Sequence, residues 1–180
     1  IWTLNDFSLL KSIRLCGEKA RNISVHPSGK EIAISCGDGS IRIVELQTFI
    51  QRFQLAAHEH SAYGIRYHPS KPLLLSGGRD AHLKTWDTDN EYTLVEDIAA
   101  HNYAIYGIEF NSDASLFATA SRDKTIKIWD ADTFQLLMRI NKEKFEGHAH
   151  SVNKLLWHRT SNLLFSAGDD KTIMAWEIAQ

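Results

Sequence analysis

One spacing pattern occurs three times along the 180 residues, and it constrains the fold more than any other feature of the chain. Its first copy holds His58, Ser76, Asp80 and Trp86; its second His101, Thr119, Asp123 and Trp129; its third His148, Ser166, Asp170 and Trp176. In every copy the His precedes the hydroxyl residue by 18 positions, the Asp follows that residue by four, and the Trp follows the Asp by six. Successive Trp residues are 43 and then 47 positions apart. Three independent spacings kept through three copies are not a chance arrangement. A period of roughly 20–50 residues marks an architecture of stacked supersecondary units, because one unit cannot bury its apolar face alone.

A degenerate copy precedes these three. The stretch from Asp38 to Val44 aligns with Asp80 to Trp86, 42 positions later. Gapless alignment then puts Cys16 at the His position, Ile34 at the hydroxyl position and Val44 at the Trp position. Three members have been exchanged together for apolar or weakly polar residues. A half-satisfied buried polar network costs more than an apolar core, so the joint loss is the physically consistent one. Further back, Trp2 aligns with Val44, and Ile1-Trp2 through Phe7-Ser8-Leu9-Leu10 echoes Ile128-Trp129 through Phe134-Gln135-Leu136-Leu137.

Within each copy the apolar pattern is short and strand-like. Ile126-Lys127-Ile128-Trp129 and Ile41-Arg42-Ile43-Val44 alternate with period two. Turn residues separate the runs at His68-Pro69-Ser70, Asn111-Ser112-Asp113 and Gly168-Asp169-Asp170, and no segment carries a sustained helical stripe. Four short strands in each unit of this length predict an all-β fold, a β-propeller of four-stranded antiparallel blades.

The His-bearing turn, the Ser-x-x-x-Asp turn and the Trp-Asp ending resemble the signature of the WD-repeat (WD40) family. Trp86-Asp87 and Trp129-Asp130 keep the eponymous pair, and Trp176-Glu177 departs from it conservatively. The resemblance spans essentially the whole chain. It implies end strands of an earlier blade over 1–15, then blade one over 16–57, blade two over 58–100, blade three over 101–147, and blade four over 148–180 without its outer strand. Propellers of this family typically have seven blades, or about 300 residues at this period, so about four blades here suggest part of a larger ring. Alternatively, the segment Phe7–Leu15 serves as the outer strand of blade four, and two such chains self-assemble into an eight-bladed ring.

His58, Ser76 and Asp80 are also the residue types of a nucleophilic triad. Three copies in one domain argue against catalysis. The family resemblance implies a structural relay instead, in which a buried Asp accepts from the His, the His meets the hydroxyl, and the hydroxyl accepts from the indole N–H. No enzymatic activity and no cofactor are expected. His58-Glu59-His60 and His148-Ala149-His150 have a metal-compatible spacing, but one His of each pair belongs to the relay and no third ligand is placed, so no metal is expected. Cys16 and Cys36 have no metal-ligand spacing and make no disulfide framework, which reads as a reduced, cytoplasmic (intracellular) setting. Lys142-Glu143-Lys144 accounts for the longer period before blade four and reads as a solvated loop.

Partner binding in this family usually uses the face that holds the His and Asp turns. Two positions per blade are well placed there. One, at an expected bulge of the inner strand, holds Arg21, Tyr63, Tyr106 and Asn153; the other, just before the Asp, holds Gly37, Arg79, Arg122 and Asp169. Arg and Tyr are enriched at interface hot spots. The expected partners are other proteins or peptides, with an acidic or phosphorylated segment engaged by Arg21, Arg79 and Arg122 beside Tyr63 and Tyr106. A nucleic-acid partner is the competing reading, since Tyr can stack on bases and Arg can meet phosphates, but 20 basic against 22 acidic side chains argue against it. No apolar run reaches the ~20 residues of a membrane span, so no membrane partner is expected.

Overall fold

The computed structural model describes residues 8, 9 and 11–178. It holds fifteen strands and one short helix, arranged as four antiparallel sheets in sequence order. The first contains β1 (Ala20–Val25), β2 (Glu31–Cys36), β3 (Ser40–Glu45) and β4 (Gln51–Ala56). The second contains β5 (Ala62–Tyr67), β6 (Leu73–Gly78), β7 (His82–Asp87) and β8 (Thr93–Ala99). The third contains β9 (Ile105–Phe110), β10 (Leu116–Ser121), β11 (Ile126–Asp130) and β12 (Leu136–Ile140). The fourth contains only β13 (Val152–Trp157), β14 (Leu163–Gly168) and β15 (Ile173–Glu177). Each strand pairs with the next in its sheet, so every sheet is a meander whose first strand lies innermost. The inner strands pack beside one another in the order β1, β5, β9, β13. These are propeller blades.

The apolar core lies between blades rather than within them. Ala33, Ile41 and Ile43 on the trailing face of blade one meet Ile65, Tyr67, Leu74 and Trp86 on the leading face of blade two. In register, Leu75 and Leu83 of blade two meet Ile108, Phe110, Phe117 and Trp129 of blade three. Ala118, Ile126 and Ile128 of blade three then meet Trp157, Leu164 and Trp176 of blade four. Alternation along each strand thus serves two neighbours, one per face. The tight turn before each third strand carries a left-handed residue, at Gly39, Ala81, Lys124 and Lys171, so the turn conformation repeats although the residue does not.

Two segments differ from the sequence expectations. Residues 11–15, expected within an outer strand, form none; Ile13, Leu15 and Cys16 instead lie on Ile34, Cys36 and Val44, the three positions of blade one stripped of relay or glycine character. Blade four accordingly has no fourth strand among the described residues. The reading of Ile1 to Phe7 and of Leu10 as end strands falls outside the described residues. Lys142-Glu143-Lys144 is not a loop but lies in one turn of helix, α1 (Lys142–Phe145), capped by the Asn141 side chain accepting from the Lys144 N–H. Its lysines are exposed, as a solvated segment requires.

Thr85 of blade two is a flaw in this core. The Thr85 hydroxyl is fully buried and has no hydrogen-bond partner, at a position where β3 has Ile43 and β11 has Ile128. An unpaired buried hydroxyl costs about 1–3 kcal/mol. Thr85→Val, which keeps the shape and removes the hydroxyl, should therefore stabilise the chain by about 1 kcal/mol, read as a higher urea midpoint at unchanged slope.

Candidate functional site

The three signature copies build the same hydrogen-bonded chain. In blade two the Trp86 indole N–H donates to Ser76 Oγ at 3.0 Å, Ser76 Oγ lies 3.0 Å from His58 Nε2, and His58 Nδ1 lies 3.0 Å from both Asp80 oxygens. In blade three the corresponding distances through Thr119, His101 and Asp123 are 2.9, 2.8 and 2.9 Å. In blade four Trp176, Ser166, His148 and Asp170 repeat it at 2.9, 2.8 and 2.9 Å. A hydroxyl has one proton. It accepts from the indole and is the hydrogen-bond partner of Nε2, while Nδ1 of the same ring faces the carboxylate.

This arrangement has the residue types of a triad and none of its access. Ser76 and Thr119 are 0 % exposed and Ser166 is 2 % exposed, so no substrate carbonyl reaches the hydroxyl. Both ring nitrogens of His58 and His148 are committed, which removes them as metal ligands. The Asp carboxylate reaches upward as well, accepting from the backbone N–H of Glu59, Asn102 or Ala149 in the turn above. In blades three and four it also accepts the hydroxyl of Thr125 or Thr172, each at 2.6 Å. The relay therefore ties the face turns to the blade interior. Blade one has no such chain: Asp38 accepts from Ser40 and from Arg42, whose Nη2 is 3.0 Å away.

Beside the relay turns of blades two to four lies a row of bulges, which blade one repeats without a relay. The pairing of each inner strand with its neighbour slips by one residue near its start, between Ala20 and Asn22, between Ala62 and Gly64, opposite Ala120 and Ser121, and between Val152 and Lys154. The skipped residues are Arg21, Tyr63, Tyr106 and Asn153. A bulge re-aims its extra side chain, and here all four converge on one depression of about 250 Å³, which Asn22 and Lys154 complete. The Arg21 guanidinium lies 5.0 Å above the Tyr63 ring. Tyr63 meets Tyr106 edge to face, with ring centres 5.0 Å apart. Asn153 donates to Asp169 at 2.5 Å. At the opposite end of the inner strands a larger cavity, of about 920 Å³, is lined by Ile23, Val25, Leu156, Trp157 and the ion pair of Arg66 with Glu109.

The other expected positions divide. Arg122 lies over the exposed Tyr103 ring at 5.9 Å, and its charge reaches Tyr106. Asp169 enters through Asn153. Arg79 is exposed on its turn but does not line the depression. Burial raises the Tyr106 hydroxyl pKa, with Tyr63 and Asp169 adding to that rise and Arg122 and Arg21 opposing it. Lys154 lines the depression as well, outside the positions that the register singles out. It stands where the middle blades have Gly64 and Gly107, one residue past the bulge, and the signal was available: a charged residue at a position otherwise small.

A stack of antiparallel blades joined by inner-strand packing and a buried Trp–hydroxyl–His–Asp relay defines a repeat propeller. The chain belongs to the WD domain, G-beta repeat family, whose profile matches residues 49–87, 92–130 and 140–177. The first two matches run from an outer strand of one blade through three strands of the next, and the third runs from the last residue of β12 through β15. The chain is 30% identical over 184 residues to "Probable cytosolic iron-sulfur protein assembly protein 1" of Scheffersomyces stipitis, covering 94% of this chain and 41% of that protein. It is 26% identical over 93 residues to "Periodic tryptophan protein 2 homolog" of Mus musculus, covering 51% of this chain and 10% of the relative. It is 29% identical over 69 residues to "Probable coatomer subunit beta'" of Schizosaccharomyces pombe, covering 37% of this chain and 9% of the relative. The chain thus spans less than half the length of each of these relatives. No helix among the described residues is long and apolar enough to cross a membrane.

The relay makes stability depend on pH. Burial pushes the Asp80 carboxyl up, but the His58 bond and the backbone N–H groups of His82 and Glu59 outweigh it and hold the pKa at about 2, against an ordinary 3.8. Asp123 and Asp170 are likewise held well below the carboxylate range, against the push of burial. Burial also lowers His101 below its ordinary 6.5, against the pull of Asp123. In each case the unfolded chain takes up protons that the folded chain resists, so stability is lost as pH falls. The denaturant midpoint should decline once below about 6.5 and again, more steeply, below about 4. A midpoint level from neutral pH down to about 2 would contradict the relay assignment.

Proposed function

We propose that the chain is a protein-interaction scaffold whose partner docks on the bulge face. An acidic or phosphorylated segment of that partner seats against Arg21, Lys154 and Arg122, over the Tyr63–Tyr106 pair. The observation that carries this reading is the convergence of four bulge residues from four different blades on one depression. Rigid aromatic rings with a guanidinium stacked above them present an apolar surface and directional donors together. Asp169 repels an anion on the blade-four side and so biases the segment toward Arg21. The names of these relatives, an assembly protein and a coatomer subunit, support a role in holding other proteins, and "cytosolic" in one of them supports a cytosolic location.

The joint variant Arg21→Ala, Arg122→Ala, Lys154→Ala should capture partner proteins at least about tenfold more weakly, a loss of roughly 1.4 kcal/mol, while melting like the parent. Quantitative pull-down from lysate, with nuclease added, measures this. Undiminished capture by the variant would remove the face from consideration. Capture abolished by nuclease and falling steeply with salt would instead indicate nucleic acid.

Exposed blade faces favour a second reading, in which the blades belong to a larger ring. Ile23 and Val25, each 58 % exposed, occupy the leading-face positions that Ile65 and Tyr67 hold in blade two. Ile173, 78 % exposed, occupies the trailing-face position of Ile126. One free face is of each kind, so they are mutually complementary, and further blades or a second copy of the chain joined head to tail would cover both. Light scattering on this chain alone should show self-association that Ile173→Lys disperses. An unsubstituted chain that stays a soluble monomer, with Ile173→Lys changing nothing, would count against the ring.

A further inference from the structure

The two cysteines of the chain stand 20 positions apart, as do His58 and Gly78, His101 and Ser121, and His148 and Gly168. Strand pairing confirms the equivalence, since Cys36 sits opposite Ala20 as Gly78 sits opposite Ala62 and Gly168 opposite Val152. The turns agree as well: Gly37 N–H donates to Lys19 at 2.7 Å, as Arg79 N–H donates to Ser61 at 2.9 Å. In the other blades these two positions touch. A Cβ built on Gly78 would lie 2.4 Å from Cγ and Nδ1 of His58, and one on Gly168 would lie 2.6 Å from Nδ1 of His148. The Cβ atoms of the two positions are therefore within about 4 Å, the separation that disulfides adopt. Ser121, beside His101, shows that a side chain of cysteine's size is accommodated. In blade one the pair is Cys16, half-buried, and Cys36, fully buried; both are free thiols, packed in one cluster with Ile13, Leu15, Ile34 and Val44.

We propose that Cys16 and Cys36 are a redox modification site, closing to an intrablade disulfide in exchange with a small-molecule disulfide of the glutathione class. The more accessible Cys16 loses its proton to solvent, and its thiolate attacks one sulfur of the small disulfide. That S–S bond breaks, one small thiol leaves, and Cys16 carries the other as a mixed disulfide. Cys36 then loses its proton, attacks Cys16 Sγ and expels the second small thiol. The protein gives up two electrons and two protons, and the oxidant becomes two thiols. Burial, with Cys16 beside it, pushes the Cys36 pKa up to about 12, so the first attack falls to Cys16 and the slower, intramolecular attack to Cys36. The link joins residues 11–16 to the end of β2, directly beneath the Gly37 and Lys19 turn that flanks Arg21. It covalently replaces the tether that the relay supplies in the other three blades. The site stands independently of partner docking on the bulge face.

The test is incubation of the full chain with glutathione disulfide, followed by non-reducing intact mass and peptide mapping. The expected product is a monomer that has lost two hydrogens, with the peptides holding residues 16 and 36 joined, fully reversed by reductant. Its amides over residues 11–19 should exchange at least tenfold more slowly than in the reduced chain. Cys36→Ala, conservative in this apolar cluster, should stop at a glutathione adduct on Cys16, and Cys16→Ala should resist modification. The proposal is overturned if the parent chain also stops at the Cys16 adduct, or if oxidation joins only separate chains.

Discussion

The buried hydroxyl of Ser76, Thr119 and Ser166 is the point on which each signature blade turns. It is hydrogen-bonded from two sides, by an indole on the third strand and by an imidazole from the turn that enters the first. The imidazole passes the constraint to a carboxylate in the turn between second and third strands. Two strands and two turns are thus fixed by three bonds of 2.8–3.0 Å. A network of this kind is worth having only when complete, because each unsatisfied member in a low-dielectric interior costs more than its bond contributes. The bulges that aim Tyr63, Tyr106 and Asn153 lie within a few residues of the His-bearing turns, so in those three blades the interior polar chain sets the geometry of the exposed face; the Arg21 bulge rests on the apolar cluster of blade one instead.

Blade one shows the other stable solution. With Cys16, Ile34 and Val44 at three relay positions, the same backbone is held by apolar contact, and Asp38 turns outward to Ser40 and Arg42. The outward pair is partly exposed and screened by solvent, whereas the relay carboxylates are sheltered. Neither solution admits a mixture. That the two cysteines fall on touching positions of the relay frame is a property of this solution alone.

The frame of the fold was legible because fixed spacings recur. His58, Ser76, Asp80 and Trp86 could be placed from register without coordinates, and the bulge positions followed from the same register. Single departures from the frame were less visible. Lys154 matters because it stands among Gly64 and Gly107 in space, and Thr85 because it stands among Ile43 and Ile128. The Tyr67 hydroxyl lies 2.7 Å from that of Tyr92, and both bond Glu31 across the boundary between blades one and two. No periodicity encodes that contact, since it joins residues from different repeats. The strand expected over 11–15 failed for a related reason: pairing needs a partner edge, and this segment instead meets an apolar surface that only the loss of the relay had created.

The stagger between sequence repeat and structural blade has a consequence for how such chains change over generations. Each repeat contributes its first strand to the preceding blade and its other three to the next, so every junction between repeats lies inside a hydrogen-bonded sheet. A duplication or deletion of one whole repeat, wherever its ends fall, restores the same pairing and the same face-to-face packing on both sides of the join. The residues of the bulge face, which take no part in that pairing, are left to diverge blade by blade.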